Sequence, residues 1–158
     1  MAYLGNDNLS PVFHNLFIGD YLISINYEAL NSKKITHILI CAEELSPRYP
    51  ESFKYKKLLL DDDPNYPIFE CFDEAFDFIE QGLKSGVVLV HCAQGRSRSA
   101  TIVLMYLMRS KRITFKKALS YLKERHKNAD PNQGFCNQLK QYQKYLNIGR
   151  SSCFNSIF

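Results

Sequence analysis

Cys92 and Arg98 stand six residues apart in the stretch His91-Cys92-Ala93-Gln94-Gly95-Arg96-Ser97-Arg98-Ser99, whose side chains can bind and attack a tetrahedral oxyanion. A thiol held beside a helix N-terminus and cationic groups is driven toward its thiolate, the form that acts as a nucleophile. The planar guanidinium of Arg98 can grip two oxygens of one phosphoryl group and offset charge in the transition state. Gly95 lets the backbone curl, so that the N–H groups of Ala93, Gln94, Gly95, Arg96 and Ser97 converge with Arg98 on one anion. The Ser99 hydroxyl is placed to donate a hydrogen bond to the sulfur, both as it attacks and as it leaves. His91 is placed to fix the loop and the thiolate through hydrogen bonds to the backbone, rather than to serve as a base.

A Cys-x5-Arg pair by itself recurs by chance, and a buried cysteine is usually just a small apolar residue. The surrounding elements give this pair its meaning. Val87-Val88-Leu89-Val90 is a continuous apolar run, the pattern of a strand buried on both faces of a parallel sheet. Ala100 to Met108 is apolar on nearly every face, as in a helix through the middle of a domain. The cysteine loop joins the two. Ligands of such sheets bind beyond the carboxyl ends of the strands, and a helix N-terminus there offers free N–H groups and a positive dipole end.

Further strands are expected at Leu16 to Ile18, Ile35 to Ala42 and Lys57 to Leu60, each bounded by turn formers. Phe72, Ala75, Phe76, Ile79 and Leu83 form one helical stripe. Thr114 can cap a helix running to about Arg125, and Gly134 to Leu146 reads as a last one. Strands interleaved with helices predict a single α/β domain, a mostly parallel twisted sheet of about four to five strands flanked by helices. The domain is expected over residues 1–147, with 148–158 as a mobile tail whose Phe154, Ile157 and Phe158 could instead dock on the body.

The 158 residues are 46% apolar and 23% charged, ordinary globular values that exclude wholesale disorder. No apolar run is long enough to span a bilayer, and no signal-peptide, myristoylation or prenylation pattern is present. The expectation is a protein without a membrane anchor, in the cytoplasm and also open to the nucleus. A net charge of +4 without a long basic run argues against nucleic acid. Five scattered cysteines without a CxxC pair fit neither a disulfide framework nor a zinc site. No metal site and no cofactor are expected, and monomer is the default state.

His-Cys-x5-Arg-Ser between a strand and a helix resembles the signature of the protein tyrosine phosphatases. Gly95-Arg96-Ser97-Arg98-Ser99-Ala100-Thr101 is similar to its small, atypical dual-specificity branch. Asn15-Leu16-Phe17-Ile18-Gly19, Ile35 to Leu39, and Pro131-Asn132-Gln133-Gly134-Phe135 with Gln138-Leu139 extend the likeness over Leu16 to Leu146. The resemblance implies a metal-free, two-step hydrolysis through a phosphocysteine on Cys92. It also implies an aspartate that protonates the leaving oxygen and then activates water. In the family that aspartate sits on the loop here occupied by Asp61-Asp62-Asp63. Counting back from Phe72 assigns the role to Asp62, and spacing alone leaves Asp61 and Asp63 open.

Two departures stand out. Ile40 replaces a frequent asparagine and removes one supporting hydrogen bond, and His126 stands where proline is common, a change expected to be neutral and away from the catalytic set. The resemblance implies phosphorylated protein substrates carrying phosphotyrosine, phosphoserine or phosphothreonine. Arg96 keeps phosphoinositides and other non-protein phosphates open, as against a solvated arginine at the rim. Rival readings are a phosphoprotein-binding pseudophosphatase and, less well matched, a sulfur-transferring rhodanese-like enzyme. A disulfide between Cys41 and an oxidised Cys92 is a lesser expectation, set against Cys41 as a buried small residue.

Overall fold

Val88–His91 forms the middle strand of a five-stranded sheet in the computed structural model, which describes residues 8–149. In chain order the elements are β1 (Ser10–Phe13), β2 (Leu16–Gly19), α1 (Tyr21–Ser24), α2 (Tyr27–Ser32), β3 (His37–Cys41), β4 (Lys54–Leu58), a 3-10 turn (Ile68–Cys71), α3 (Phe72–Ser85), β5 (Val88–His91), α4 (Arg98–Lys111), α5 (Phe115–Arg125) and α6 (Gln133–Tyr145). The strand order is β1-β2-β5-β3-β4. Pairing is parallel everywhere except between β1 and β2. The architecture is the expected α/β one, with a mixed sheet flanked by helices.

β5 lies between β2 and β3, and every residue of β3 and β5 is buried, which accounts for their unbroken apolar runs. α4 packs on β2, β3 and β5 and is itself surrounded by α3, α5 and α6. Its residues Arg98 to Met108 are all buried. Each large apolar side chain there contributes about 1.5–3 kcal/mol of burial free energy, so the loop before α4 is anchored at both ends in the core.

Three elements escaped the sequence pattern. β1 is four residues long, contains Pro11 and lies at a sheet edge, where a missing N–H is tolerated. α1 and α2 are too short to show a helical period, although Asp20 and Asn26 accept N-cap bonds from Ile23 and Ala29. β4 begins at Lys54, earlier than the expected Lys57 to Leu60. It is an edge strand with a polar face, and the leucine run misleads because Leu59 is 61% exposed and outside the strand. Most of the expected tail, 150–158, lies outside the described residues. Ile148, its first residue, is only 9% exposed and its N–H donates to the Gln143 carbonyl.

Candidate active site

The parallel strands deliver Gly19, Cys41 and His91 to the same edge of the sheet, and residues 92–97 span the gap from β5 to α4. α4 starts at Arg98, so Arg98 and Ser99 belong to its first turn. Ser97 occupies the N-cap position, but its hydroxyl makes no capping bond. Instead it accepts from the Asn132 N–H at 3.0 Å. The first N–H groups of a buried helix are thereby left to the loop's concave side.

The loop is shaped from outside. The carbonyls of Ala93, Gln94, Gly95 and Arg96 each accept a hydrogen bond from a group beyond the loop. The donors are Tyr21 N–H at 3.1 Å, Asn128 Nδ2 at 3.0 Å, His126 Nε2 at 2.7 Å and Asp130 N–H at 2.8 Å. A planar peptide with its carbonyl held in one direction presents its N–H in the opposite one. Four successive N–H groups, from Gln94 to Ser97, therefore turn inward as an anion nest. Gly95 has φ of +66°, and a Cβ on it would meet the Gly19 carbonyl oxygen at 2.9 Å, so both conformation and space call for glycine.

Cys92 is buried, and its Sγ lies 3.1 Å from the buried Ser99 Oγ. The loop and Asp62 together line a cavity of about 130 Å³, with Cys92 and Arg98 in the same wall. The Arg98 side chain is 8% exposed. Its two terminal nitrogens pair with Glu44 Oε2 and Oε1, both at 2.7 Å, and Nη1 also donates to the Leu60 carbonyl at 3.1 Å. Burial works against the Arg98 cation, but the bonds to Glu44 and the nearby Cys92, Glu44 and Asp62 charges outweigh it and raise its pKa. In return the Arg98 hydrogen bond holds the Glu44 carboxyl below the usual carboxylate range. Arg98 Nε is buried without a hydrogen-bond partner among the described residues. An orphaned donor on a buried cation at a cavity wall is what an oxyanion would satisfy.

Asp62 accepts from Asn132 Nδ2 at 2.9 Å. Asp63 is used differently, its Oδ1 accepting from the Asn65 N–H at 2.7 Å and closing a turn. Asp61 is exposed and lies outside the cavity wall. His91 is buried, its Nδ1 donating to the Cys92 carbonyl at 3.3 Å, and burial pushes its pKa down to about 4 against the opposing effects of that bond and of Asp20. The imidazole is thus neutral around neutral pH. Arg96 reaches away to Asp130 at 2.8 Å, with its side chain 55% exposed. Burial, and next the charge of Cys92, push the Cys41 thiol well up, which works against Cys41 as an attacking thiolate.

Sequence reasoning missed Glu44, Asn128, Asn132 and Tyr21 N–H. Glu44 had one readable signal, an acid just past the carboxyl end of a buried strand. The expectation for His126 is corrected: its side chain contacts the phosphate-type loop directly, because the turn after α5 folds back against Gly95. Ile40 is fully buried and stands opposite His91 in the β3–β5 register.

Residues 16–145 match the family model described as dual specificity phosphatase, catalytic domain. The chain is 42% identical over 143 residues to dual specificity protein phosphatase 1B of Arabidopsis thaliana, covering 90% of this chain and 86% of that protein. Other relatives are longer, and the chain spans 15% of one and 37% of another. Human DUSP28 superposes with a TM-score of 0.83 at 27% identity, covering 89% of this chain and 95% of that one. The human tyrosine phosphatase-like serine/threonine/tyrosine-interacting protein gives 0.82 at 32% identity, covering 87% and 96%. With the family model matching residues 16–145, a relative 42% identical over most of both chains, and a shared fold, the chain belongs to the dual specificity phosphatases and is a cysteine-dependent protein phosphatase.

Proposed function

We propose that the protein hydrolyses phosphotyrosine and phosphoserine or phosphothreonine in proteins, with Cys92 as nucleophile, Arg98 as phosphate ligand and Asp62 as general acid and base. The observation that supports this most is the single cavity that Cys92, Arg98 and Asp62 line together, with an unpartnered buried Nε on Arg98. In the first step the Cys92 thiolate forms a bond to phosphorus while the bond from phosphorus to the leaving oxygen breaks. Asp62, as the carboxylic acid, gives that oxygen its proton. In the second step Asp62, now a carboxylate, takes a proton from water as the water oxygen attacks phosphorus. The P–S bond breaks, inorganic phosphate leaves, and Ser99 donates a hydrogen bond to the departing sulfur. The inward N–H groups and Arg98 stabilise charge on the equatorial oxygens in both transition states.

Protein substrates are favoured over phosphoinositides because Ala93 and Gln94 are neutral and the Arg96 cation is held by Asp130. Hydrolysis of para-nitrophenyl phosphate and of phosphotyrosyl and phosphothreonyl peptides, by wild type and Cys92→Ser, tests the reading. Loss of all three activities in the variant is expected. A wild type that binds the peptides without turnover would instead mark a phosphoprotein-binding role.

A further inference from the structure

We propose that His126 is a positioning residue for oxyanion binding, its Nε2–H holding the Gly95 carbonyl outward so that the Arg96 N–H faces the phosphoryl group. The proposal rests on reading residues 92–98 as the phosphate site. Of the four donors to the outward carbonyls, two are backbone N–H groups and two are side chains, His126 and Asn128. Asn128 is exposed, whereas His126 is 6% exposed and makes the shortest of the four bonds.

The Gly95 peptide is the apex of the turn and the one with positive φ. It is clamped between Gly19 on one side and the His126 ring on the other. A Cβ at Gly95 would lie 2.9 Å from the Gly19 oxygen and 3.3 Å from His126 Nε2.

A carbonyl oxygen only accepts, so Nε2 must carry the proton. The second ring nitrogen, Nδ1, lies 2.8 Å from Ser10 Oγ. In the neutral ring that hydroxyl donates to Nδ1, which selects the tautomer with hydrogen on Nε2. Ser10 belongs to β1 and pairs with Ile18 on β2, one residue before Gly19. The ring is therefore held by the same sheet edge that backs the loop. The helix end does not depend on the side chain, because the backbone of His126 bonds to Leu122 and Ala129.

A change of side chain at 126 should therefore act on anion affinity more than on folding. His126→Phe keeps ring volume and removes the donor. Its inhibition constant for vanadate, an oxyanion resembling the transition state, should rise about tenfold, the equivalent of losing one net hydrogen bond. kcat/KM for para-nitrophenyl phosphate should fall about as far. His126→Gln, which restores an N–H donor, should recover most of the loss. Alkylation of Cys92 by neutral iodoacetamide, which needs no anion nest, should stay within about twofold of wild type.

Equal vanadate inhibition in wild type and a folded His126→Phe would overturn the proposal, as would equal losses in the Phe and Gln variants. If His126→Phe does not fold, Ser10→Ala decides. A roughly threefold weaker vanadate inhibition is expected from the freed tautomer, and an unchanged value would overturn the positioning role. Wild type insensitive to vanadate would overturn the phosphate-site reading itself.

Discussion

Three consecutive aspartates face three different surroundings, and they should separate on substitution. Asp62 lines the Cys92 cavity, whereas Asp63 closes a turn and Asp61 is solvated. Asp62→Ala should lower kcat on phosphopeptides by about 10²–10⁴-fold, the usual worth of a positioned acid. Asp61→Ala should change it less than about threefold, since its exposed carboxylate touches no reacting group. A kcat series on one phosphotyrosyl peptide checks this, and a deeper loss in Asp61→Ala than in Asp62→Ala would reverse the assignment. Glu44 supplies a second residue-level prediction. Glu44→Gln keeps size but removes the charge that fixes the Arg98 fork, so kcat/KM should fall by roughly tenfold, in the range of a charge-assisted bond partly exposed to solvent. Glu44 is 51% exposed, which sets the expectation at the low end. An unchanged kcat/KM would show that Arg98 orients itself without it.

At the scale of elements, the start of α6 holds the 61–65 loop against the 92–97 loop. Asn132 caps α6 through the Phe135 N–H, donates to Asp62 and gives its own N–H to Ser97. A Cβ on Gly134 would fall 1.8 Å from the Pro64 oxygen, so this helix and the 61–65 loop touch backbone to backbone. Gly134→Ala should push that loop away. kcat on phosphopeptides should drop about tenfold or more through misplacement of Asp62, while vanadate inhibition, which makes no use of proton donation by Asp62, should hold. Matched losses in both measurements would contradict this division of labour. The buried strand, the loop and α4 were legible because burial on every face writes itself as an unbroken apolar run. That Asp62, rather than Asp61 or Asp63, lines the Cys92 cavity was not settled by spacing alone, because one residue of loop register exchanges them. Glu44, Asn128 and His126 were not, because each acts through a contact between segments far apart in the chain, and no local periodicity records such contacts. β1, α1 and α2 were lost to brevity, and β4 was shifted by a leucine that proved to be solvent-facing.

The molecule as a whole should weaken in acid through His91. An unfolded imidazole titrates near 6.5, and burial holds this one near 4. The unfolded chain therefore takes up the proton first. Stability is full above about pH 6.5 and is lost as pH falls toward 4, by on the order of 3 kcal/mol. Urea midpoints at pH 7 and pH 4.5 should differ accordingly, and His91→Asn should flatten that part of the slope; an equally steep slope in the variant would locate the effect elsewhere. Turnover by the intact protein tests the proposed nest, nucleophile and acid together. With para-nitrophenyl phosphate the leaving group needs little protonation, so Asp62→Ala should form the phosphoenzyme readily and hydrolyse it slowly. Acid quench of that variant with labelled substrate, followed by peptide mapping, should find phosphate on Cys92 and none in the Cys92→Ser protein. Full turnover by the wild type with no covalent label, or a label on any other residue, would contradict the account.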